Sequence, residues 1–341
     1  MSFLETIKQN SEKAPIKWWP NFAFHYTDVT NAISILQSGK LYSRIKAQAA
    51  NVMQNDNASR QVIDMTMSQA TSYVRFYFRP LTPTQYYNEG FKHPAIRYDG
   101  DLNANIPVPV FFVFRLETLL KDGKVRFSNL SQAGYGASLG QGEDDFSKLE
   151  FEKIYSNGYV DEEVRKYRHA ELLYPDEYDI DNSLDAILCR NEVERATLLN
   201  LLFDLDKKAY YKYKDLIKVC KKDMFEKNGL FLDEVYFDFN SISFAFSESY
   251  DKKYYENKQL ERLDVDVLDP VTIVISMEWR NTRGIIFTKH IESTVDYRKP
   301  RVLTLKNLPQ IPRAKKLSIK VMIEQKLIGY IIFNLEENEI I

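Results

Sequence analysis

Glu171 is the residue of this sequence whose type and setting are best suited to chemistry. Residues 172–174 are apolar and predict a short strand that Pro175 ends, so the Glu171 carboxylate is expected at the mouth of a sheet. A carboxylate at such a place can meet a ligand. The segment alone favours a plainer arrangement, in which Glu171 pairs with Arg168 or Arg165 on a solvated face.

A histidine and a threonine lie where a predicted strand meets a predicted helix. Residues 22–27 are rich in aromatic side chains and predict a strand that carries His25 and Thr27 at its end. Asp28 is a suitable N-cap for the next helix, and Gly39 is a suitable C-terminal stop. The phosphates and ribose hydroxyls of a dinucleotide can find donors at such a helix start. A structural histidine explains the pattern equally well.

A third candidate is the strand predicted at residues 73–78. Its alternation places apolar side chains on one face and Tyr73, Arg75 and Tyr77 on the other. An aromatic and basic face of this kind can stack bases and neutralise phosphate. Ordinary packing of a tyrosine-rich strand is the commoner explanation.

The elements that must position these side chains are indicated along the rest of the chain. Residues 108–116 predict a central strand, 125–127 and 184–189 predict further strands, and a helix is expected to start after Asn191. The glycine-rich residues 128–145 predict a mobile loop able to cover a ligand. A long helical region is predicted over residues 195–228, followed by alternating apolar stretches typical of a β-rich module.

Composition sets limits on the class of protein. The 341 residues suffice for two domains, and 44% hydrophobic residues predict a folded chain. The 46 basic residues nearly balance 48 acidic ones, so the net charge of −2 gives no global attraction to nucleic acid or anionic lipid. Any nucleic-acid site must be a local patch.

Cysteine and histidine usage gives expectations about location and metals. With only Cys189 and Cys220, a disulfide framework is excluded, and a reducing cytoplasm is expected. The four histidines stand singly, so no metal site is predicted. No secretion signal and no apolar run long enough for a membrane span is found, and we expect a cytoplasmic protein without a membrane partner.

Taken together and in order, several motifs resemble the DarT-type ADP-ribosyltransferase toxins, which attach ADP-ribose from NAD+ to bases in single-stranded DNA. The resemblance covers roughly residues 20–200. Its motifs are His25-Tyr26-Thr27 with Asn31, the Ile35-Leu36 to Gly39-Lys40-Leu41 helix end, Arg60, Tyr73-Val74-Arg75-Phe76-Tyr77-Phe78, the Pro80, Pro83 and Tyr86 turn, and Ala170-Glu171-Leu172-Leu173. Arg75 stands where the family usually has proline.

The resemblance implies roles for individual residues, with NAD+ as co-substrate and no metal. Glu171 matches the catalytic glutamate, which would stabilise a ribosyl cation, and Arg60 matches an essential arginine that would position phosphate. The residues implied in holding NAD+ are His25, Thr27, Asn31 and Arg44. Those implied around the acceptor strand, for stacking or phosphate contact, are Tyr73, Arg75, Tyr77, Tyr86 and His169.

The predicted fold class is α+β, with an ADP-ribosyltransferase-like mixed β core and a C-terminal helical and β-rich extension. We predict an ADP-ribosyltransferase domain over residues 1–204 and an accessory region over 205–341. The lysines and tyrosines of residues 207–222 are read as a solvated surface, with a nucleic-acid contact as the alternative.

Three functions remain open from the sequence. The favoured one is a toxin that modifies a thymidine-type base in single-stranded DNA, in a toxin–antitoxin or anti-phage system with a neutralising protein partner. The second is an enzyme directed at RNA, since the two polymers share stacking and phosphate contacts. The third is an inactive module that binds nucleic acid or a protein.

Overall fold

The computed structural model has the mixed helix and sheet architecture predicted from the sequence. It describes residues 1–50, 71–97, 105–132, 137–220, 224–247 and 268–336, and the backbone of 339–340. The chain divides into two compact units. The first comprises Met1–Tyr87 and Val110–Leu188, and the second comprises Asn88–Pro109 and Cys189–Ile341. The predicted division at residue 204 stays a prediction.

The first unit is built around a central sheet. Its strands are β1 (Phe22–Asp28), β2 (Lys40–Tyr42), β3 (Tyr73–Tyr77), β4 (Pro109–Arg115), β5 (Arg126–Ser128), β6 (Glu171–Pro175), β7 (Glu177–Asp179) and β8 (Leu184–Cys189). The main sheet has the order β5-β6-β3-β1-β4-β8, and β2 pairs with β7. The apolar side chains of β4 are buried on both faces, which agrees with the central position predicted for this strand.

Helices surround this sheet. They span Phe3–Lys13, Val29–Ser38, Arg44–Ala49, Pro83–Asn88, Leu116–Lys121, Gly142–Ser147, Phe151–Ile154 and Glu162–Arg165. The predicted caps of the helix Val29–Ser38 are confirmed. Asp28 accepts hydrogen bonds from the backbone of Thr30 and Asn31, and Gly39 adopts a left-handed φ of 70° that few other residues tolerate. The loop predicted over residues 128–145 extends too far, because the helix Gly142–Ser147 begins before its end. The buried Phe146 anchors this helix.

The second unit is rich in β structure, as predicted. Its strands are β9 (Ile217–Val219), β10 (Leu232–Asp238), β11 (Ser241–Phe246), β12 (Val271–Asn281), β13 (Gly284–Val295), β14 (Leu303–Lys306), β15 (Lys316–Ile323), β16 (Lys326–Asn334) and β17 (Glu339–Ile340). A three-stranded sheet has the order β10-β11-β14, and a five-stranded sheet has the order β13-β12-β15-β16-β17. Alternate side chains of β12, among them Ile273, Ile275 and Met277, lie in the shared hydrophobic core.

The prediction of one long helical region over residues 195–228 is wrong. Two helices, Glu192–Leu205 and Lys207–Tyr213, are followed by strand β9 and by irregular chain over the described residues 224–229. Asp206 separates the helices because its backbone is extended, with φ −153° and ψ 93°, and its side chain caps the second helix. An aspartate favours such a cap over a position inside a helix.

Candidate active site

Glu171 is the first residue of β6, and the sheet buries it. Strand β6 lies between β5 and β3, and Glu171 stands opposite Tyr77 of β3 and Ser128 of β5. Its side chain is only 2% exposed. The ion pair on a solvated face that the local sequence favoured is therefore wrong, because a buried carboxylate needs a partner inside the protein.

That partner is Arg75. Its Nη2 lies 2.9 Å and its Nε 3.3 Å from Glu171 Oε2. The two strands allow this pair because Arg75 and Tyr77 share a face of β3, and Glu171 is directly opposite Tyr77. Arg168, the partner considered from the sequence, donates instead to Ser156 Oγ at 3.2 Å and to the Gly158 carbonyl at 2.8 Å.

Burial and neighbouring charges shift the pKa values of these groups. Burial raises the pKa of Glu171, while the Arg75 guanidinium and a hydrogen bond from the Gln132 backbone lower it in part. Burial, with the nearby Glu171 charge, raises the pKa of Tyr77 to about 12. For Arg75, burial opposes the charged form, but Glu171 and Tyr77 leave its pKa raised. The site therefore holds a guanidinium and a neutral phenol beside the carboxylate.

His25 is bound to the backbone of the same arginine. Its Nδ1 lies 3.0 Å from the Arg75 carbonyl oxygen. Because a carbonyl oxygen only accepts, Nδ1 must carry the hydrogen, and the neutral ring presents Nε2 as an acceptor. Burial lowers the pKa of His25, and the hydrogen bond to Arg75 offsets this in part. The ring is thus neutral at neutral pH.

His169 lies in the 3-10 turn Lys166–His169 that leads into β6. Burial, followed by the positive charge of Arg75, lowers its pKa to about 4. The structure therefore brings together four of the side chains singled out in the sequence: Glu171, Arg75, Tyr77 and His169. The His25 ring joins them only through the Arg75 backbone, and its centroid lies 6.3 Å from that of Phe76 on the apolar face of β3.

The remaining residues implied in holding NAD+ lie at the ends of β1 and β2. Thr27 is buried near the end of β1. Asn31, in the first turn of the next helix, donates from Nδ2 to Asp28 Oδ2 at 3.0 Å. Arg44 opens the helix Arg44–Ala49, which Ser43 caps. Their roles toward NAD+ stay predictions.

Two of the predicted acceptor contacts are placed differently. Tyr73 stands opposite Pro175, at the other end of the β3–β6 ladder from Glu171. Tyr86 belongs to the helix Pro83–Asn88, and its ring centroid lies 5.6 Å from that of Tyr87. Arg60, implied as the second catalytic residue, lies outside the described residues.

Sequence reasoning missed Gln132. This residue is buried, its backbone N–H donates to the Glu171 carboxylate, and its Nε2 has no hydrogen-bond partner among the described residues. Nothing in the composition of the surrounding loop could have identified it. Within the same described ranges, no three side chains of His, Cys, Asp or Glu are grouped to hold a metal ion. No described helix has the length and apolar character needed to cross a membrane.

The comparisons with known proteins identify the class of protein and then its family. Residues 24–219 match the model of a family of ADP-ribosyltransferases, described as ssDNA thymidine ADP-ribosyltransferase, DarT. Since this match spans more than half of the chain, the chain belongs to the DarT family, and the resemblance noted from the sequence is confirmed. A search of curated protein sequences gave no match.

Solved structures similar to the chain include proteins from Thermus sp. 2.9 and Thermosipho africanus. Thermus sp. 2.9 DarT in complex with NAD+ is 19% identical, with a TM-score of 0.46, over 60% of this chain and 98% of that one. The same protein in complex with ADP-ribosylated ssDNA is 18% identical, with a TM-score of 0.44, over 60% and 96%. Thermosipho africanus DarTG in complex with ADP-ribose is 12% identical, with a TM-score of 0.46, over 64% and 54%. The family assignment rests on the family model.

Proposed function

We propose that this protein transfers ADP-ribose from NAD+ to thymidine bases in single-stranded DNA. The family description supports this substrate class. The observation that carries the proposal is the placement of Glu171, a buried carboxylate kept in an ion pair at the sheet end where His25 is also held. A buried glutamate needs a partner such as Arg75 to stay ionised, and a ribosyl transferase requires a preorganised negative charge of this kind.

The proposed reaction exchanges one glycosidic bond for another. The C1′–N bond between ribose and nicotinamide breaks, nicotinamide leaves with the electron pair, and positive charge develops on the ribose. A ring nitrogen of the base then bonds to C1′, its N–H bond breaks, and the proton passes to solvent water. Glu171 accepts a hydrogen bond from the ribose 2′-hydroxyl and stabilises the cation through its charge.

The other residues would bind the two substrates. Nε2 of His25 is an acceptor suited to a ribose hydroxyl, and Thr27, Asn31 and Arg44 complete the proposed contact to NAD+. Arg60 would hold phosphate. On the acceptor side, the proposed contacts for stacking and hydrogen bonding are Tyr73, Tyr77, Tyr86 and His169. Arg75 was grouped with them on sequence grounds, and the ion pair with Glu171 gives it a further role, developed in the next subsection.

We further propose that the protein is a cytoplasmic toxin restrained by a protein partner, as in a toxin–antitoxin or anti-phage system. ADP-ribose on a base adds bulk and negative charge to a template strand. A cell that carries this activity would therefore damage its own replicating DNA unless the enzyme were neutralised. Expression of the protein in a host that lacks such a partner should arrest growth, and normal growth with active enzyme present would refute the toxin proposal.

The direct test uses NAD+ labelled in its adenylate part. Incubation with single-stranded DNA with and without thymidine, with RNA and with protein should label only thymidine-containing DNA. Glu171→Gln should lower the rate by about 10²–10³-fold, the usual effect of removing one preorganised electrostatic group. Calorimetric NAD+ binding should be largely retained, since the ground state gains little from that charge.

Glu163→Gln is the matched control. Glu163 is exposed and pairs with Lys166, so the same chemical change should leave transfer intact. Label on RNA alone would support the RNA-directed alternative, and label on protein alone would refute the nucleic-acid proposal. Full transfer by Glu171→Gln would refute the role of this carboxylate.

A further inference from the structure

Arg75 contacts both functional residues that flank its strand. Strand β3 lies between β6, which carries Glu171, and β1, which carries His25. The Arg75 side chain binds the Glu171 carboxylate at 2.9 Å, and its carbonyl accepts from His25 at 3.0 Å. One residue therefore locates both groups through separate atoms.

The ion pair uses a single oxygen of the carboxylate. Both hydrogen bonds from Arg75 end on Glu171 Oε2. Oε1 takes no part in this pair, so the pair leaves it able to accept from another donor. A guanidinium is also a poor direct aid to this reaction, since its positive charge opposes a developing ribosyl cation. A benefit from Arg75 to the breaking of the C1′–N bond must therefore act through the carboxylate.

A buried carboxylate without a cation takes up a proton, because desolvation penalises its charged form. Glu171 is 2% exposed, while the Arg75 side chain is 27% exposed. The pair is therefore asymmetric. The glutamate depends on the arginine for its charge, whereas the arginine keeps part of its surface in solvent.

We propose that Arg75 is a positioning residue for Glu171, holding its carboxylate charged and oriented for the ribose of NAD+. This inference rests on the proposed function and adds a residue to it. Among the described residues, the titratable groups around the carboxylate are Arg75 and Tyr77 on β3 and His169 before β6. The His25 ring lies near Phe76 on the other face of β3 and touches the site only through the Arg75 backbone.

The kinetic test is the pH dependence of transfer in Arg75→Met. Without its cation, Glu171 should ionise only at higher pH, so the acid limb of kcat should move upward. Each unit of that shift lowers the ionised fraction about tenfold at pH values below the pKa. The loss should shrink as the pH rises, and near pH 9 the rate should approach that of the wild type.

Arg75→Lys keeps a cation and should keep the acid limb near its wild-type position. If Arg75→Met does not fold, Arg75→Lys still tests whether the cation controls the acid limb. The matched control is Arg126→Met, which should leave the pH profile unchanged. It removes an exposed arginine from β5, the strand on the other side of β6 from β3. A raised KM for the oligonucleotide with an unmoved acid limb in both Arg75 variants would overturn the proposal and make Arg75 a DNA contact.

A second readout is independent of activity. Side-chain carboxyl carbons of 13C-labelled glutamate are followed by NMR across pH, with Glu171 assigned through Glu171→Gln. The Glu171 signal should titrate at higher pH in Arg75→Met than in the wild type, and an equal titration would overturn the inference. This experiment separates the two claims, because a wild type without NAD+ turnover would refute the proposed function and leave the titration as the test of Arg75.

Discussion

His25 and Glu171 both contact Arg75, but they bind different parts of it. The positive charge of the Arg75 side chain pairs with the Glu171 carboxylate. The Arg75 carbonyl only orients the His25 ring, through a hydrogen bond. Because burial lowers the pKa of His25, its ring stays neutral at neutral pH and keeps Nε2 as an acceptor. A protonated ring would present a second donor, and a ribose hydroxyl would lose its acceptor.

His25→Gln is expected to weaken NAD+ binding and to change its pH dependence. The loss of one hydrogen bond, worth about 0.5–1.5 kcal/mol, should raise Kd by about two- to thirteenfold. In the wild type, affinity should be level at neutral pH and fall as the pH drops through the lowered pKa of His25. Calorimetry from pH 5 to pH 8 measures both effects, and the variant should lack the acid decline that His25 causes.

His290→Gln controls for a general effect of removing a histidine. His290 belongs to β13 of the second unit, where its Nδ1 lies 2.9 Å from Ser276 Oγ. This variant should keep both the affinity and the acid decline of the wild type. An acid decline that persists unchanged in His25→Gln would mean that another group controls NAD+ affinity.

At the residue scale, the sequence revealed what depends on local chemistry. Asp28 was predicted as an N-cap, and its Oδ1 accepts from Thr30 N at 2.7 Å. The partner of Glu171 could not be found in this way. Arg75 is far from Glu171 in the chain, and only the register of β3 against β6 brings the two together.

At the scale of elements, the helix Glu192–Leu205 starts on a buried charge network of the second unit. Asn191 caps the helix, and Glu194 bonds both the backbone and the side chain of Arg190. Arg190 Nη1 also lies 3.2 Å from Glu89 Oε1, and its guanidinium lies over the Phe231 ring. The network thus joins the helix start to the inserted segment Asn88–Pro109.

Glu194→Gln should change how stability depends on pH. Burial raises the pKa of Glu194 from 4.5 to about 7, with Arg190 opposing the shift. The folded state then binds this proton more tightly than the unfolded state, so the stabilisation is present below pH 4.5 and lost as pH rises through about 7. As the pH rises across that window, the free energy of unfolding of the variant should increase by on the order of 1–3 kcal/mol relative to that of the wild type. Urea unfolding at several pH values measures the difference.

Glu192→Gln provides the comparison, because Glu192 is exposed in the same helical turn and pairs with Arg195. Its stability should follow the wild-type pH dependence. If the two variants behave alike, the buried network does not hold the proton.

The limits of sequence prediction differ between the ends of this helix. Its start was predicted at Asn191, whose side chain caps the helix by accepting from Glu194 N at 2.9 Å, a local interaction. Its end was predicted too late. Leucines continue the apolar pattern up to Leu205, and the following lysines and tyrosines are compatible with a helix, so only the cap made by Asp206 marks the break.

At the scale of the whole molecule, the family-matched segment does not coincide with a compact unit. The match covers residues 24–219, whereas the inserted segment Asn88–Pro109 belongs to the second unit. Phe91 exchanges backbone hydrogen bonds of 2.9 and 2.8 Å with Leu230, and Arg97 pairs with Glu324 at 2.6 Å. These two partners of the insert, Leu230 and Glu324, lie beyond the matched segment.

A fragment of residues 1–219 should therefore be less stable than the full chain. It would expose Phe91 and Ile96, which are 0% and 4% exposed in the full chain, at a cost of about 1.5–3 kcal/mol for each side chain. Gly90 N donates to Ile106 O at 2.8 Å, so the ends of the insert are adjacent, and residues 91–105 can be replaced by a short Gly-Ser turn. Thermal unfolding followed by circular dichroism should rank the full chain first, the shortened fragment second and the plain fragment last. A plain fragment that unfolds as cooperatively and at the same temperature as the full chain would show that the insert needs no support from the residues after 219.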